Sequence, residues 1–301
     1  MKRGIIQSRG LGDILIALPI ARYYHLQGDE IVWPISSEFY YSLVKSVPWV
    51  EWIGMDADPE GKFFLETPLR IFKERGIDPD EALYLYHYLS NVPELTDPEM
   101  FNILKFDQYK YQYAGVPFRN KWQLSECITR DLNREHALQE RLNISGRYAV
   151  CHLTGSTAQV DSKIINWLDP AVRLINIDDF KTDSIFDWLG VIRGAEAFIG
   201  LDSVFTNLVD QLNIQGPELY WIRRSPWDLT PVLGNTWTIV PTNLPIVEPK
   251  RVDPAALAAD KAGKIAASQP KAASKSNSLE SYVPFETNKT HFPTSFMSAL
   301  K

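Results

Sequence analysis

An aspartate between glycines and apolar residues stands near the start of the chain, in "RGLGDILIALPIA", Arg9 to Ala21. The stretch follows a short apolar run and continues with apolar residues at helical spacing. It therefore predicts a strand, a glycine turn and a helix with Asp13 in its first turn. A carboxylate there stays ionised because the helix dipole favours negative charge, and Gly10 and Gly12 let a substrate approach the backbone. Asp13 is a candidate general base. The alternative is a structural role in the first turn, worth roughly 0.5–2 kcal/mol.

A second group of polar residues follows the β-rich run "RYAVCHL". Its members are small or polar and lie in a turn that suits an anion: His152, Thr154, Gly155, Ser156 and Thr157. Lys163 follows a few residues later and adds a positive charge. Each has a plainer interpretation, since a histidine at a strand end is often structural, "TGST" is an ordinary loop sequence, and Lys163 fits an exposed loop.

A third group of polar residues lies at the end of the apolar stretch "EAFIGLDS". Asp202 and Ser203 end this strand just before the helical stretch "VFTNLVDQLNI", which contains Asn207. In parallel α/β proteins, ligands bind at the carboxyl edge of the sheet, so the sequence places these residues at such an edge.

The surrounding pattern predicts how these groups are positioned. Strand and helix patterns alternate over the first 55 residues and again after residue 146, which favours parallel sheets covered by helices. We expect a first domain at 1–145, a second, shortened domain at 146–249 and a tail at 250–301. Pro19 should kink the first helix or confine its regular part to one side. The Ala/Lys/Ser-rich tail has little to bury, which predicts disorder.

Composition excludes several classes of protein. The net charge is −6, with eight Lys/Arg and four Asp/Glu in residues 250–301, so the tail is +4 and the rest −10. Such an acidic body lacks a nucleic-acid footprint, although the tail leaves open a peripheral contact with an anionic membrane surface. The two cysteines are too few for a disulfide framework, and the scattered histidines do not have the spacing of metal ligands. The sequence shows neither a secretory signal peptide nor an apolar stretch long enough to span a membrane. We expect a cytoplasmic protein without a metal or a bound cofactor.

Three stretches in order resemble the ADP-heptose:lipopolysaccharide heptosyltransferase family. They are "GLGDILIALPIA" (10–21), "YAVCHLTGST" with "SKIINW" (148–167), and "AEAFIGLDSVFTNLVDQLNI" (195–214). The resemblance covers most of residues 1–241. It implies an α/β protein of the glycosyltransferase B type, in which two Rossmann-like domains face a cleft. It also implies inverting, metal-independent transfer of a sugar from a nucleotide-diphosphate donor to a glycan or glycolipid acceptor, as in lipopolysaccharide or surface-glycan synthesis.

The same resemblance assigns roles to the candidate residues. Asp13 matches the family's proposed catalytic aspartate, and the first domain would hold the acceptor. Lys163 matches its phosphate-contacting lysine. The 154–157 turn and the 202–207 turn would hold the diphosphate, and His152 matches the histidine before the glycine turn.

Two departures from the family pattern keep an alternative open. Val204 stands where the family has glycine, and Asn207 stands where it has histidine, so close approach and positive charge are both lost. These changes favour a non-catalytic binding or scaffold protein derived from the same fold, whereas the intact Asp13 favours an enzyme. A dinucleotide-dependent oxidoreductase is excluded more firmly, because "RGLGDI" lacks the third glycine of its fingerprint.

Overall fold

The computed structural model describes residues 1–56, 64–86, 104–155, 158–224 and 230–242. These form two parallel sheets, as the alternating pattern predicts. The first has the order β3-β2-β1-β4 and the second the order β6-β5-β7-β8-β9. Their strands are β1 Lys2–Ile6, β2 Glu30–Ser36, β3 Val50–Met55, β4 Leu83–Tyr84, β5 Tyr148–His152, β6 Arg173–Asn176, β7 Ala197–Leu201, β8 Glu218–Ile222 and β9 Thr238–Val240.

Helices connect most of these strands. The α-helices of the described ranges are α1 Leu11–Leu26, α2 Ser37–Leu43, α3 Glu66–Glu74, α4 Phe106–Tyr113, α5 Leu132–Arg141, α6 Leu189–Arg193 and α7 Val204–Gln211. A 3-10 segment, Phe118–Glu126, lies between α4 and α5. Between β5 and β6, the helical segment of the described residues is a 3-10 turn, Ser162–Ile165. None of the helices in these ranges is long and apolar enough to cross a membrane.

One of the two outcomes predicted for Pro19, a regular helix confined to one side of the proline, was wrong. Helix α1 continues through Pro19 to Leu26 as a single helix. A proline inside a helix costs roughly 3 kcal/mol because it removes a hydrogen bond and crowds the preceding turn. Every residue from 14 to 21 is buried, however. Burial of a large aliphatic side chain contributes roughly 1.5–3 kcal/mol, so this much burial offsets the proline.

One hydrophobic core joins elements of both sheets. It includes Leu15 of α1 and Trp33 of β2 together with Phe198 of β7 and Leu208 of α7. All the described residues belong to one compact unit, Met1–Ala259. The domain boundary near residue 145 therefore remains a prediction, and the predicted disorder of the tail lies outside the described residues.

A buried carboxylate on α7 connects the second sheet to the segment before α5. Asp210 is fully buried. Its Oδ1 accepts hydrogen bonds from the amides of Gly234 (2.9 Å) and Asn235 (3.1 Å) and from the indole of Trp237 (3.1 Å). Its Oδ2 accepts from the indole N–H of Trp122 at 3.0 Å. Asp210 thus fixes α7, the helix that also carries Asn207.

A buried ion pair makes a second connection of the same kind. The Lys121 ammonium lies 2.7 Å from Asp107 Oδ2, and both side chains are fully buried. Lys121 also donates to the carbonyl of Val232, and the amide of Val232 donates to Asp107 at 2.8 Å. Both charges are therefore paired and hydrogen-bonded, which is the arrangement in which a buried charge is tolerated.

Candidate active site

Asp13 lies in the first turn of α1, and its side chain is partly exposed. Gly10 precedes the helix with φ at +77°, a conformation that favours glycine. A Cβ on Gly10 would lie 2.7 Å from Asp13 Oδ2, so the carboxylate is folded back over this glycine. The Asp13 side chain is 38% exposed, which leaves it accessible to a substrate. Gly10 is therefore needed for two reasons: its positive φ favours glycine, and a Cβ at this position would collide with the Asp13 carboxylate.

A buried lysine that sequence reasoning missed contacts this carboxylate. Lys110 of α4 donates to Gln7 Oε1 and to the carbonyl of Leu85, both at 2.6 Å. Its ammonium lies 3.1 Å from Asp13 Oδ1, and its side chain is only 1% exposed. The sequence offered one indirect signal, since Lys110 lies among the aromatic residues of "FDQYKYQY". Nothing in that stretch pointed to Asp13.

A cavity of about 320 Å³ opens beside the pair. Its lining combines the two charged groups with polar and aromatic side chains: Gln7, Arg9, Gly10, Asp13, Tyr86, Phe106 and Lys110. The Tyr86 hydroxyl accepts hydrogen bonds from the amides of Ser8 (2.9 Å) and Arg9 (3.1 Å). Burial raises the pKa of Tyr86 to about 12, so its hydroxyl stays protonated at neutral pH. Tyr84, Tyr86 and Tyr88 alternate in the sequence as the residues of a strand do. Tyr84 packs in the core, and Tyr88 lies outside the described residues.

His152 lies in a polar cluster of its own at the end of β5. Its Nδ1 is 2.8 Å from Ser203 Oγ, and its Nε2 is 3.4 Å from Asp178 Oδ1. Burial lowers the pKa of His152, and the nearby Asp178 only partly opposes this effect. The imidazole is therefore neutral at pH 7. The structure thus brings together His152 and Ser203, and it adds Asp178, which the sequence did not single out.

The predicted phosphate turn is described only in part. The Gly155 amide donates to the carbonyl of Ala158 at 2.7 Å, and Thr154 forms an antiparallel bridge with Gln159. Ser156 and Thr157 lie outside the described residues. Lys163 is 90% exposed, and its ion-pair partner within the described ranges is Asp161 at 3.7 Å. Within these ranges the structure does not bring Lys163 into contact with Asp13.

The start of α7 meets the start of α1. A Cβ on Gly12 would lie 3.3 Å from Asn207 Nδ2 and 3.5 Å from Val204 Cα, so the two first turns are packed closely. Asn207 Nδ2 donates to the Ser203 carbonyl at 3.1 Å, and its Oδ1 is buried without a hydrogen-bond partner in the described structure. Asp202 is buried, and its amide donates to the carbonyl of Ile222 at 3.0 Å. Two predicted groups, 10–13 and 202–207, are therefore neighbours.

Among the described residues, no cluster of three or more His, Cys, Asp or Glu side chains could hold a metal ion. The first turns of α1 and α7 and the Asn207 Nδ2 carry N–H groups, the kind of donor that a phosphate oxygen accepts. Asp13 is the carboxylate that lines the cavity.

Comparison with known proteins identifies similar folds only. No protein-family model matches the chain, and no curated protein matches it. A glycosyltransferase of family 9 from Veillonella parvula has 8% identity and a TM-score of 0.48, with 90% of each chain covered. The heptosyltransferase WaaC of E. coli, solved with ADP-2-deoxy-2-fluoro heptose, has 14% identity and a TM-score of 0.46, covering 88% of this chain and all of its own.

The E. coli ADP-heptose lipopolysaccharide heptosyltransferase II has 10% identity and a TM-score of 0.45, with 89% of this chain and 99% of that chain covered. These structural neighbours are glycosyltransferases, the group that the three sequence stretches resemble. At such identities the likeness concerns the fold and does not by itself assign an activity to this chain.

Proposed function

We propose that this protein is an inverting, metal-independent glycosyltransferase that moves a sugar from a nucleotide-diphosphate donor to a glycan or glycolipid acceptor. Asp13 is the general base. The observation that carries the proposal is the accessible Asp13 carboxylate, which lines a cavity of about 320 Å³ and is paired with a buried ammonium. The aromatic side chains of Tyr86 and Phe106 in the same cavity suit the apolar face of a sugar ring.

The chemistry of such a transfer requires one base. The acceptor hydroxyl oxygen attacks the anomeric carbon from the face opposite the leaving group, and the bond from that carbon to the diphosphate oxygen breaks. The new C–O bond therefore has the opposite configuration. The hydroxyl proton passes to Asp13, and a positioned base of this kind typically contributes about 10²–10⁴-fold in rate.

The leaving diphosphate needs positive charge or amide donors. In this proposal the donor lies along the 154–157 and 202–207 turns, with His152, Asp202, Ser203 and Asn207 at its edge. The Asn207 side-chain NH2 group has two N–H donors, of which one bonds the Ser203 carbonyl, so the second can be donated to a phosphate oxygen. Lys163 supplies the cation by leaving its exposed pair with Asp161, and such surface pairs contribute only about 0–1 kcal/mol.

One observation favours the second candidate, a non-catalytic binding protein. Gly12 packs against Val204 and Asn207, so α1 covers part of the first turn of α7. A diphosphate therefore has less access to these amides than the family's glycine would allow. This candidate retains ligand binding and lacks turnover.

The experiment compares thermal unfolding with and without ADP, GDP, UDP and CDP, and then measures release of nucleotide from the matching sugar donors. A nucleotide at 100 times its dissociation constant stabilises the folded state by about 2.7 kcal/mol. We expect one nucleotide to stabilise the protein, and Lys163→Ala to reduce that effect. Asp13→Asn should keep the stabilisation and lose about 10²–10⁴-fold in turnover.

Asp183→Asn is the matched control, because Asp183 is 87% exposed and lies outside the proposed site. Its turnover should equal that of the unmodified protein. Nucleotide binding without turnover in the unmodified protein would favour the binding-protein candidate. Absence of any stabilisation at millimolar nucleotide would contradict the donor site itself.

A further inference from the structure

We infer that Lys110 is the positioning residue of Asp13: its buried ammonium holds one carboxylate oxygen and leaves the second oxygen for the acceptor hydroxyl. The inference rests on the proposed function, and it deepens that proposal by naming the group that controls the base. Lys110 acts through Asp13 and is not itself assigned to the reacting atoms.

The argument begins with the burial of the ammonium. Lys110 is 1% exposed, and two of its contacts, Gln7 Oε1 and the Leu85 carbonyl, are neutral. Within the part of the chain that the structure describes, Asp13 is the carboxylate within ion-pair distance of Lys110. A buried charge without a counter-charge is strongly disfavoured, so the Lys110 ammonium favours the Asp13 side-chain conformation that keeps Oδ1 beside it.

The geometry also separates the two carboxylate oxygens. Oδ1 lies 3.1 Å from the ammonium, whereas Oδ2 lies over Gly10, where even a methyl group would be only 2.7 Å away. The carboxylate is therefore held from one side, and Oδ2 is the oxygen not engaged by Lys110. Because the Asp13 side chain is 38% exposed, solvent can remove the proton after each turnover.

Among the described residues that line the cavity, two further groups are charged or titratable. Arg9, from the turn between β1 and α1, and Tyr86, after β4, share the cavity lining with the pair. The pKa of Tyr86 is raised by burial, so its hydroxyl is neutral over the working range. Arg9 is paired with Glu38 at 3.2 Å on the exposed side. Removal of the Lys110 charge should therefore affect the position of Asp13 more than that of the other groups in the cavity.

The test measures kcat and the donor KM of transfer in Lys110→Met and Lys110→Gln, with Lys73→Met on the exposed face of α3 as the matched control. A misplaced base slows the transfer step and leaves donor binding largely unchanged. The kcat at pH 7 should fall at least about tenfold, with the donor KM changed less than about twofold.

A purely structural lysine would change stability and leave kcat within about twofold of the unmodified protein, and that result in a folded variant would overturn the inference. If the Lys110 variants do not fold, thermal unfolding of Asp13→Asn decides. It should unfold at a lower temperature than the unmodified protein, because the buried Lys110 ammonium loses its counter-charge. An unchanged unfolding temperature in Asp13→Asn would contradict the pair.

Failure of the proposed function gives a different result. If no sugar transfer is found, the unfolding temperature of Asp13→Asn still measures the pair. A lowered unfolding temperature without any transfer would retain the pair and refute the enzyme. An unchanged unfolding temperature would refute the role of Lys110 whatever the activity.

Discussion

Replacement of Asp210 by asparagine tests the contacts that hold α7 in place. The change keeps the shape of the side chain and removes its charge. In the native structure, Oδ1 accepts three N–H groups and Oδ2 accepts the indole N–H of Trp122. In the best orientation of the asparagine, its oxygen keeps the three donors, and its NH2 group then faces the N–H of Trp122.

The expected loss follows from these contacts. A hydrogen bond to a charged group contributes about 1.5–3 kcal/mol and a neutral one about 0.5–1.5 kcal/mol, so three retained bonds lose roughly 1 kcal/mol each. The indole N–H of Trp122 is left buried without an acceptor, at a cost of about 1–3 kcal/mol. We expect Asp210→Asn to lower the free energy of unfolding by about 4–6 kcal/mol. That is a large part of the roughly 5–15 kcal/mol of a typical domain.

Urea unfolding followed by circular dichroism measures this loss, and Trp122→Phe supplies the second side of a double-mutant cycle. In the Trp122→Phe background the asparagine NH2 no longer faces a donor, so Asp210→Asn should cost about 1–3 kcal/mol less than in the native background. Asp183→Asn, on an 87% exposed side chain, should change stability by less than about 0.5 kcal/mol. A loss below about 1 kcal/mol for Asp210→Asn, or the same loss in both backgrounds, would refute the reasoning.

Three further changes have defined outcomes. Gly10→Ala and Gly28→Ala both place alanine at a positive φ, but of these two positions only Gly10 has another atom within 4 Å of the new Cβ. Urea unfolding should therefore show that Gly10→Ala lowers the free energy of unfolding by about 1–2 kcal/mol more than Gly28→Ala does. Lys121→Met leaves the Asp107 carboxylate buried and unpaired and should cost about 3–5 kcal/mol, most of which Asp107→Leu in the same chain should recover; equal losses in the single and double variants would contradict the pair. Burial lowers the pKa of His152, so below about pH 6.5 the unfolded chain binds a proton that the folded chain does not. Stability should therefore fall between about pH 7 and pH 5, and the unfolding temperature of His152→Gln should fall less over the same range.

Local patterns in the sequence predicted most of the fold. The strands were visible because each is a short apolar run bounded by glycine or polar residues, and Asp13 and Asn207 were visible because each lies in the first turn of a helix. Helix α1 differs from prediction at Pro19, where burial of residues 14–21 outweighs a local penalty. Local signals therefore located the elements and the ends of the helices that carry the candidate site.

The partners of these residues were not predictable in the same way. Lys110 lies 97 positions from Asp13, between two tyrosines of a short helix, and nothing local distinguishes it from an exposed helical lysine. Its burial depends on the Leu85 carbonyl, just beyond β4, and on Gln7, just beyond β1, which become neighbours only when these strands pair. Asp178 likewise reaches His152 only because β6 pairs with β5.

The same long-range contacts bear on how a substrate reaches Asp13. A hinge near residue 145 that opened the chain between its two sheets would separate Trp122 from Asp210 and Lys121 from the Val232 carbonyl. Each buried donor left without an acceptor costs about 1–3 kcal/mol, and exposure of the Gly12–Val204 contact adds to that cost. The cavity lined by Tyr86 and Phe106 reaches the Asp13 carboxylate without breaking any of these contacts. Entry through that cavity is therefore the less costly route to the proposed base.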